Sequence, residues 1–149
     1  MRWLRYWGPA IVWATLTWIL STASFSAAST SRFIIPVLHW LLPQASPETL
    51  GMLHGVIRKS AHFVEYFIFS LLVLRGVCGG RAGWKLSWAL ATVAIAAGYA
   101  ALDELHQAFV AERTGSAFDS LLDTCGAAAA QLVVWAFVLW RSRRASTPA

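Results

Sequence analysis

From Tyr6 to Ser31 the chain runs 26 residues without a charged side chain. About 20 apolar residues in a helix cross the hydrocarbon core of a bilayer, so this run by itself directs the chain toward lipid. A second run lies between Lys59 and Arg75, broken only by Glu65, and extends through Cys78. Leu86–Leu102 and Thr124–Trp140 follow, 17 residues each. These two are short, but Lys, Arg or aromatic side chains flank them and reach the interface. Composition agrees: 13% of residues are charged, about half the roughly 25% of soluble domains. Nine Trp and eight Phe add more apolar surface than 149 residues can hide from water. A soluble enzyme, a disordered tail and a disulfide-rich secreted module are excluded. The expected fold is all-α: a single membrane domain over 1–149, a four-helix bundle with spans at about 7–23, 59–78, 86–108 and 120–140.

The basic residues give the orientation. The N-terminus (Arg2, Arg5), the second connection (Arg75, Arg81, Lys85) and the C-terminus (Arg141, Arg143, Arg144) hold eight; the first connection (Arg32, Arg58, Lys59) and the third (Arg113) hold four. The positive-inside rule then puts both termini in the cytoplasm, as in a multi-pass protein of the cell inner membrane. The net charge of +5 sits between apolar runs and forms no stripe with interleaved aromatics, so nucleic acid is not the partner. A cleaved signal peptide is the alternative for the first run, but that run exceeds the usual 7–15-residue core and carries Trp13 and Trp18. Phe33–Leu42 is apolar, only ten residues long, and reads as an interfacial segment of the first extracytoplasmic connection, with Pro36 and Pro43 as breakers. Ser46 at the N-cap and Pro47 at N1 then start a short helix leading into the second span. Cys78 and Cys125 have neither a CxxC nor a Cys/His spacing and read as small buried hydrophobes.

Ionisable groups in membrane helices are costly and tend to pair or to act. Here they gather at one end of the expected bundle. At 100° per residue, Lys59, His62, Phe63 and Tyr66 share a face of the second span with Glu65 at its edge. Asp103, His106 and Gln107 share a face of the third, with Glu104 to one side. Asp119, Asp123, Gly126 and Ala130 share a face of the fourth. If these faces turn inward they meet in one polar pocket opening outward, and the small residues Gly126 and Ala130 let a neighbouring backbone approach below it.

Lys59-x-x-His62-Phe63-x-Glu65-Tyr66, then Asp103-Glu104-x-x-Gln107-x-Phe109-x-x-x-Arg113, then Asp119-x-x-x-Asp123-x-x-Gly126 resembles the VanZ-like family. These are small bacterial membrane proteins named for a teicoplanin-resistance protein. The similarity begins in the first helix, with its Trp residues and closing Leu20-Ser21, and ends near Ala130. Two positions depart from the family pattern: Asp123 stands where Asn is more frequent, and Glu112 where a small turn residue usually precedes the Arg. The resemblance implies a protein tied to the cell envelope and to glycopeptide resistance; it supplies no reaction.

Several functions are open to such a pocket. In an enzyme acting on a lipid-linked or cell-wall-related substrate, His62 is the general acid or base. Asp103 or Glu104 orients it, and Glu65 and Asp119 complete the catalytic group. Lys59, Tyr66, Gln107, Arg113 and Asp123 contact the substrate, with Lys59 and Arg113 on an anionic group such as phosphate. No Ser or Cys has a nucleophile setting, so an activated water or a carboxylate nucleophile is expected. In a non-catalytic protein the same groups hold an envelope lipid, a lipid-linked wall precursor or a lipoglycopeptide. In a structural reading they satisfy one another and fix helix register. A metal reading uses His62-x-x-Glu65 and Asp103-x-x-His106, an order unlike known signatures; no cofactor is legible and no metal ligand is assigned. Proton-coupled transport is disfavoured because the lower halves of the helices read as apolar. Without a ligand, Arg113 is expected to pair with Asp119 or Glu104. His39 reads as interfacial, Glu112 as a solvated loop charge, and His54 has no partner at a telling spacing.

Overall fold

The computed structural model describes residues 2–110, 113 and 115–145. Among them are five α-helices: α1 (Arg2–Leu20), α2 (Ala27–Leu41), α3 (Pro47–Cys78), α4 (Leu86–Ala108) and α5 (Ala117–Ala145), with a 3-10 turn at Ala23–Phe25 and no strand. Helices α3, α4 and α5 are each long and apolar enough to cross a membrane. The segments Arg2–Leu20 and Ala23–Leu41 qualify only together, and they are bent by 76°. The all-helical membrane class therefore stands, with three spans among the described residues, or four where the bent pair counts as one.

Helix α3 is the central element, packing on α5, α4, α1 and α2. Its aromatic residues Tyr66 and Phe69 meet small residues on the neighbouring helices, Ala96 and Ala100 of α4 and Ala127 of α5. That division lets backbones come close, as helices in lipid require. Gly126 marks such an approach between α5 and α3: a Cβ there would run into the Phe63 carbonyl of α3. Leu90, Leu132, Val133 and Phe137 point outward and are exposed, as on a lipid-facing surface.

Buried hydrogen bonds hold the bundle in register. Trp13 Nε1 donates to the Glu65 carbonyl at 3.0 Å and Tyr99 Oη to the Ala14 carbonyl at 2.6 Å. Ser70 Oγ donates to the Ala127 carbonyl at 2.9 Å and accepts from Gln131 Nε2 at 2.8 Å. The lower half of the bundle is thus not wholly apolar: Ser70 and Gln131 are buried there, each the polar partner that the other needs. Pro9, inside α1, has no N–H to give the Arg5 carbonyl one turn earlier. Arg75 supplies the missing donor at 3.2 Å.

The first connection departs from expectation. The apolar segment is part of a 15-residue helix, α2, that runs through Pro36. Its start lies earlier because Ser26 caps it, accepting from the Ser29 N–H at 3.1 Å. Pro36 is exposed, so the one lost helical bond leaves its carbonyl partner near the surface and does not break the helix. Ser46 and Pro47 do cap and open the next helix, with Ser46 accepting from the Thr49 N–H at 3.2 Å. That helix is not a separate short one; it is α3 itself, 32 residues long, about 48 Å against a hydrocarbon core of about 30 Å. It stops at Gly79, whose φ of 58° is a left-handed cap that suits glycine.

Candidate functional site

The start of α5, the end of α4 and the upper half of α3 converge at one end of the bundle. A cavity of about 200 Å³ lies there, lined among others by Arg58, Lys59, His62, Glu104, Gln107 and Asp119, with Arg113 at its edge. Lys59 Nζ meets Asp119 Oδ1 at 2.7 Å and lies 4.7 Å from the Phe118 ring centre. Both partners of the ion pair are partly exposed.

Two of the expected site residues, Arg113 and Glu104, also fasten the chain. Arg113 was expected to pair with Asp119 or Glu104, and it does neither. Its guanidinium donates to the Gln107 Oε1 at 3.1 Å and to the carbonyls of Leu20, Thr22 and Phe25. Those carbonyls lie where α1 ends and the chain turns into α2; the Thr22 carbonyl also accepts from the Phe25 N–H at 3.1 Å, while those of Leu20 and Phe25 lack helical N–H partners. A planar fork with five donors suits such a cluster. Burial pulls the Arg113 guanidinium below its ordinary value, with Arg58 adding to the effect and Asp103 and Glu104 opposing it. Glu104 Oε2 accepts from the Ser116 N–H at 2.7 Å, tying the end of α4 to the residue just before α5. Glu112 lies outside the described residues.

Beneath the cavity the side chains pack more tightly. His62 is one-fifth exposed, and its Nδ1 lies 3.7 Å from Oδ1 of Asp123, which is fully buried. That separation is too long for a hydrogen bond. Asp103, also fully buried, accepts from Gln107 Nε2 at 3.0 Å through Oδ2. Oδ1 of Asp103, both oxygens of Asp123, His62 Nδ1 and Tyr66 Oη are buried without a hydrogen-bond partner among the described residues. An unpaired buried polar group costs about 1–3 kcal/mol, and native folds tolerate such groups mainly where they serve a function.

The remaining expected residues separate. Tyr66 lies in the apolar core, its ring against Phe69 and Tyr99, and does not line the cavity. Glu65 lines a second hollow beside the first, together with His62 and Arg113. His106 stacks on Trp18, ring centres 4.0 Å apart. His39 is exposed. No three His, Cys, Asp or Glu side chains are arranged to hold a metal ion among the described residues.

Two residues were missed. Arg58 lines both hollows, and its NH1 donates to the Phe25 carbonyl at 3.0 Å and to Thr30 Oγ1 at 3.1 Å. His54 is buried, with Nε2 3.1 Å from Thr30 Oγ1. Their partners lie on α2 or its approach, 24 to 33 residues away. The one signal in the sequence was spacing: His54, Arg58 and His62 recur at i, i+4, i+8, one face of a helix.

An all-helical membrane protein with a charged cavity at one end of a tightly packed bundle is the class these features define. The VanZ/LLP1 family model matches residues 6–140. The chain belongs to the VanZ/LLP1 family. A search of curated proteins and a search of solved structures each returned no significant match.

Proposed function

We propose that the protein is an enzyme of the bacterial cell envelope, acting from the outer face of the inner membrane on the phosphate of a lipid-linked or cell-wall-related substrate. The observation that carries this reading is the place of His62, its ring between the buried Asp123 carboxylate and a cavity lined by Arg58 and Lys59. The Asp123 carboxylate, 3.7 Å from the ring, offsets the charge that His62 gains as His62 takes a proton from water and the oxygen adds to phosphorus. The bond to the leaving oxygen breaks, and His62 returns the proton to it. Lys59 and Arg58 offset the charge that collects on the phosphoryl oxygens. Asp119 is the counter-ion of Lys59 until the substrate displaces it. The resemblance to a family linked with glycopeptide resistance supports an envelope compound as the substrate, and lower teicoplanin susceptibility is the outcome expected of turnover.

The test is incubation of the protein in nanodiscs of bacterial polar lipid with a polyprenyl phosphate and the corresponding diphosphate. Products are read by mass spectrometry and as released phosphate. His62→Asn should fold and lose about 10²–10⁴-fold in rate. A second reading, non-catalytic binding of an envelope lipid or lipoglycopeptide, is favoured by the Lys59–Asp119 pair, which lines the cavity independently of His62. Equal binding of the phosphates by wild type and His62→Asn, with no product from either, would select that reading.

A further inference from the structure

The cavity beside Lys59 has a neighbour. A second hollow of about 210 Å³ lies where the end of α1, α2 and α3 meet, with walls from Leu20, Phe25, Ile34, Ile57 and Ala61. It shares Arg58, His62 and Arg113 with the first. These three side chains form a cationic waist between two compartments of opposite character. On one side are Lys59, Asp119, Glu104 and Gln107; on the other, mostly aliphatic and aromatic walls, with Ser21, Thr30 and Glu65 among them. Each compartment alone is smaller than the roughly 300–1,000 Å³ of a small-molecule site, whereas the two together fall within that range.

The waist has binding capacity to spare. Arg58 uses NH1 for the Phe25 carbonyl and for Thr30, and its NH2 and Nε make no hydrogen bond among the described residues. Lys59 shares one 2.7 Å contact with an exposed-side carboxylate, a pair of the kind worth at most about 1 kcal/mol and therefore easily exchanged for a phosphate. The outer wall of the apolar compartment is α2, which buries none of its own residues and exposes Phe33, Val37 and Trp40. Such a helix lies in lipid or at its surface, so the apolar compartment is separated from the bilayer by a single helix.

We propose that the two hollows are one bipartite site for a phosphate-bearing amphiphile. Its phosphate lies beside Arg58 and Lys59, and the first part of one apolar chain lodges between α1, α2 and α3. This rests on the anion site read above and goes beyond it by requiring a chain on the substrate: a free phosphate, or a headgroup without its chain, fills only half of the site.

The protein in amphipol is titrated with dodecyl phosphate, ethyl phosphate and dodecyl maltoside, and binding is read by native mass spectrometry. Wild type is expected to bind dodecyl phosphate at least tenfold tighter than either other probe, which burial of about two methylenes supplies. Ile57→Trp fills the apolar compartment from α3 and Ile34→Trp from α2. Each should remove the advantage of dodecyl over ethyl phosphate and leave ethyl phosphate unchanged, while Arg58→Gln should weaken both phosphates. If wild type binds the two phosphates equally, or both Trp variants bind dodecyl phosphate as wild type does, the chain does not occupy the second hollow and the inference falls, with the anion site intact. If dodecyl maltoside binds as tightly as dodecyl phosphate, the anion site itself fails, and the inference with it. Should both Trp variants fail to fold, the wild-type ratio of the two phosphates decides alone.

Discussion

At the residue scale, the polar cluster divides into groups that fasten the chain and groups that face the cavity. Glu104 belongs to the first kind. Its carboxylate accepts from the Ser116 N–H at 2.7 Å, while Ser116 Oγ caps α5 by accepting from the Phe118 N–H at 3.2 Å. Glu104→Gln keeps an acceptor there and should melt within a degree or two of wild type, whereas Glu104→Ala leaves the Ser116 N–H unpaired and should lose about 1–3 kcal/mol, read as a lowered Tm in detergent. Equal losses in both variants would mean that the negative charge, and not the hydrogen bond, is what matters. Arg113 fastens as well, and Lys could not reach three carbonyls and an amide with one ammonium. His62, Asp103 and Asp123 leave buried polar atoms without a hydrogen-bond partner among the described residues. That these residues would share one end of the bundle was legible from helical spacing. Their division of labour was not, because a carboxylate that caps a backbone N–H looks, in sequence, like one that moves a proton.

At the element scale, α3 and α5 are pressed together at Gly126, directly below the His62–Asp123 pair. A side chain at that position has only the Phe63 carbonyl to displace, and backbone does not give way. Gly126→Val should therefore cost about 1–3 kcal/mol, seen as a drop in Tm, and should impair substrate turnover more than Glu104→Gln does. An unchanged Tm would show that the two helices do not pack this closely. The small residue one turn on, Ala130, is fully buried for the same reason. This close approach could be anticipated from Gly126 and Ala130 on the face of Asp119 and Asp123. The reach of α2 could not. A proline in an apolar decapeptide reads as a breaker, but Ser26 sets the start of the helix ten residues earlier, and an exposed Pro36 costs it little.

At the scale of the whole molecule, the site works on an envelope substrate only if the end bearing it faces outward. The excess of Lys and Arg at the termini and in the connection from α3 to α4 favours that orientation. A C-terminal green fluorescent protein fusion should fluoresce, and alkaline phosphatase fused after Phe109 should be active; the reverse pattern would turn the cavity toward the cytoplasm and remove the proposed substrate. Whether α1 and α2 together make a fourth span bears on the same question, since a 76° bend between them lets the pair either cross or turn at the surface.

The sequence alone determined the class and the end of the bundle at which the charged residues gather. Uncharged runs of bilayer length are a local property, and partition into lipid needs nothing else; three motifs with helical spacing then brought their charges to one end. Only the tertiary structure decided which charge does what. The Leu20 carbonyl that Arg113 holds is 93 residues away, and the Phe25 carbonyl that Arg58 holds is 33 away. These acceptors exist because α1 stops and the chain turns, leaving carbonyls without helical donors. No residue type marks a backbone oxygen as unpaired, so the partners of both arginines, and the two hollows they separate, follow from the packing and not from the order of the residues.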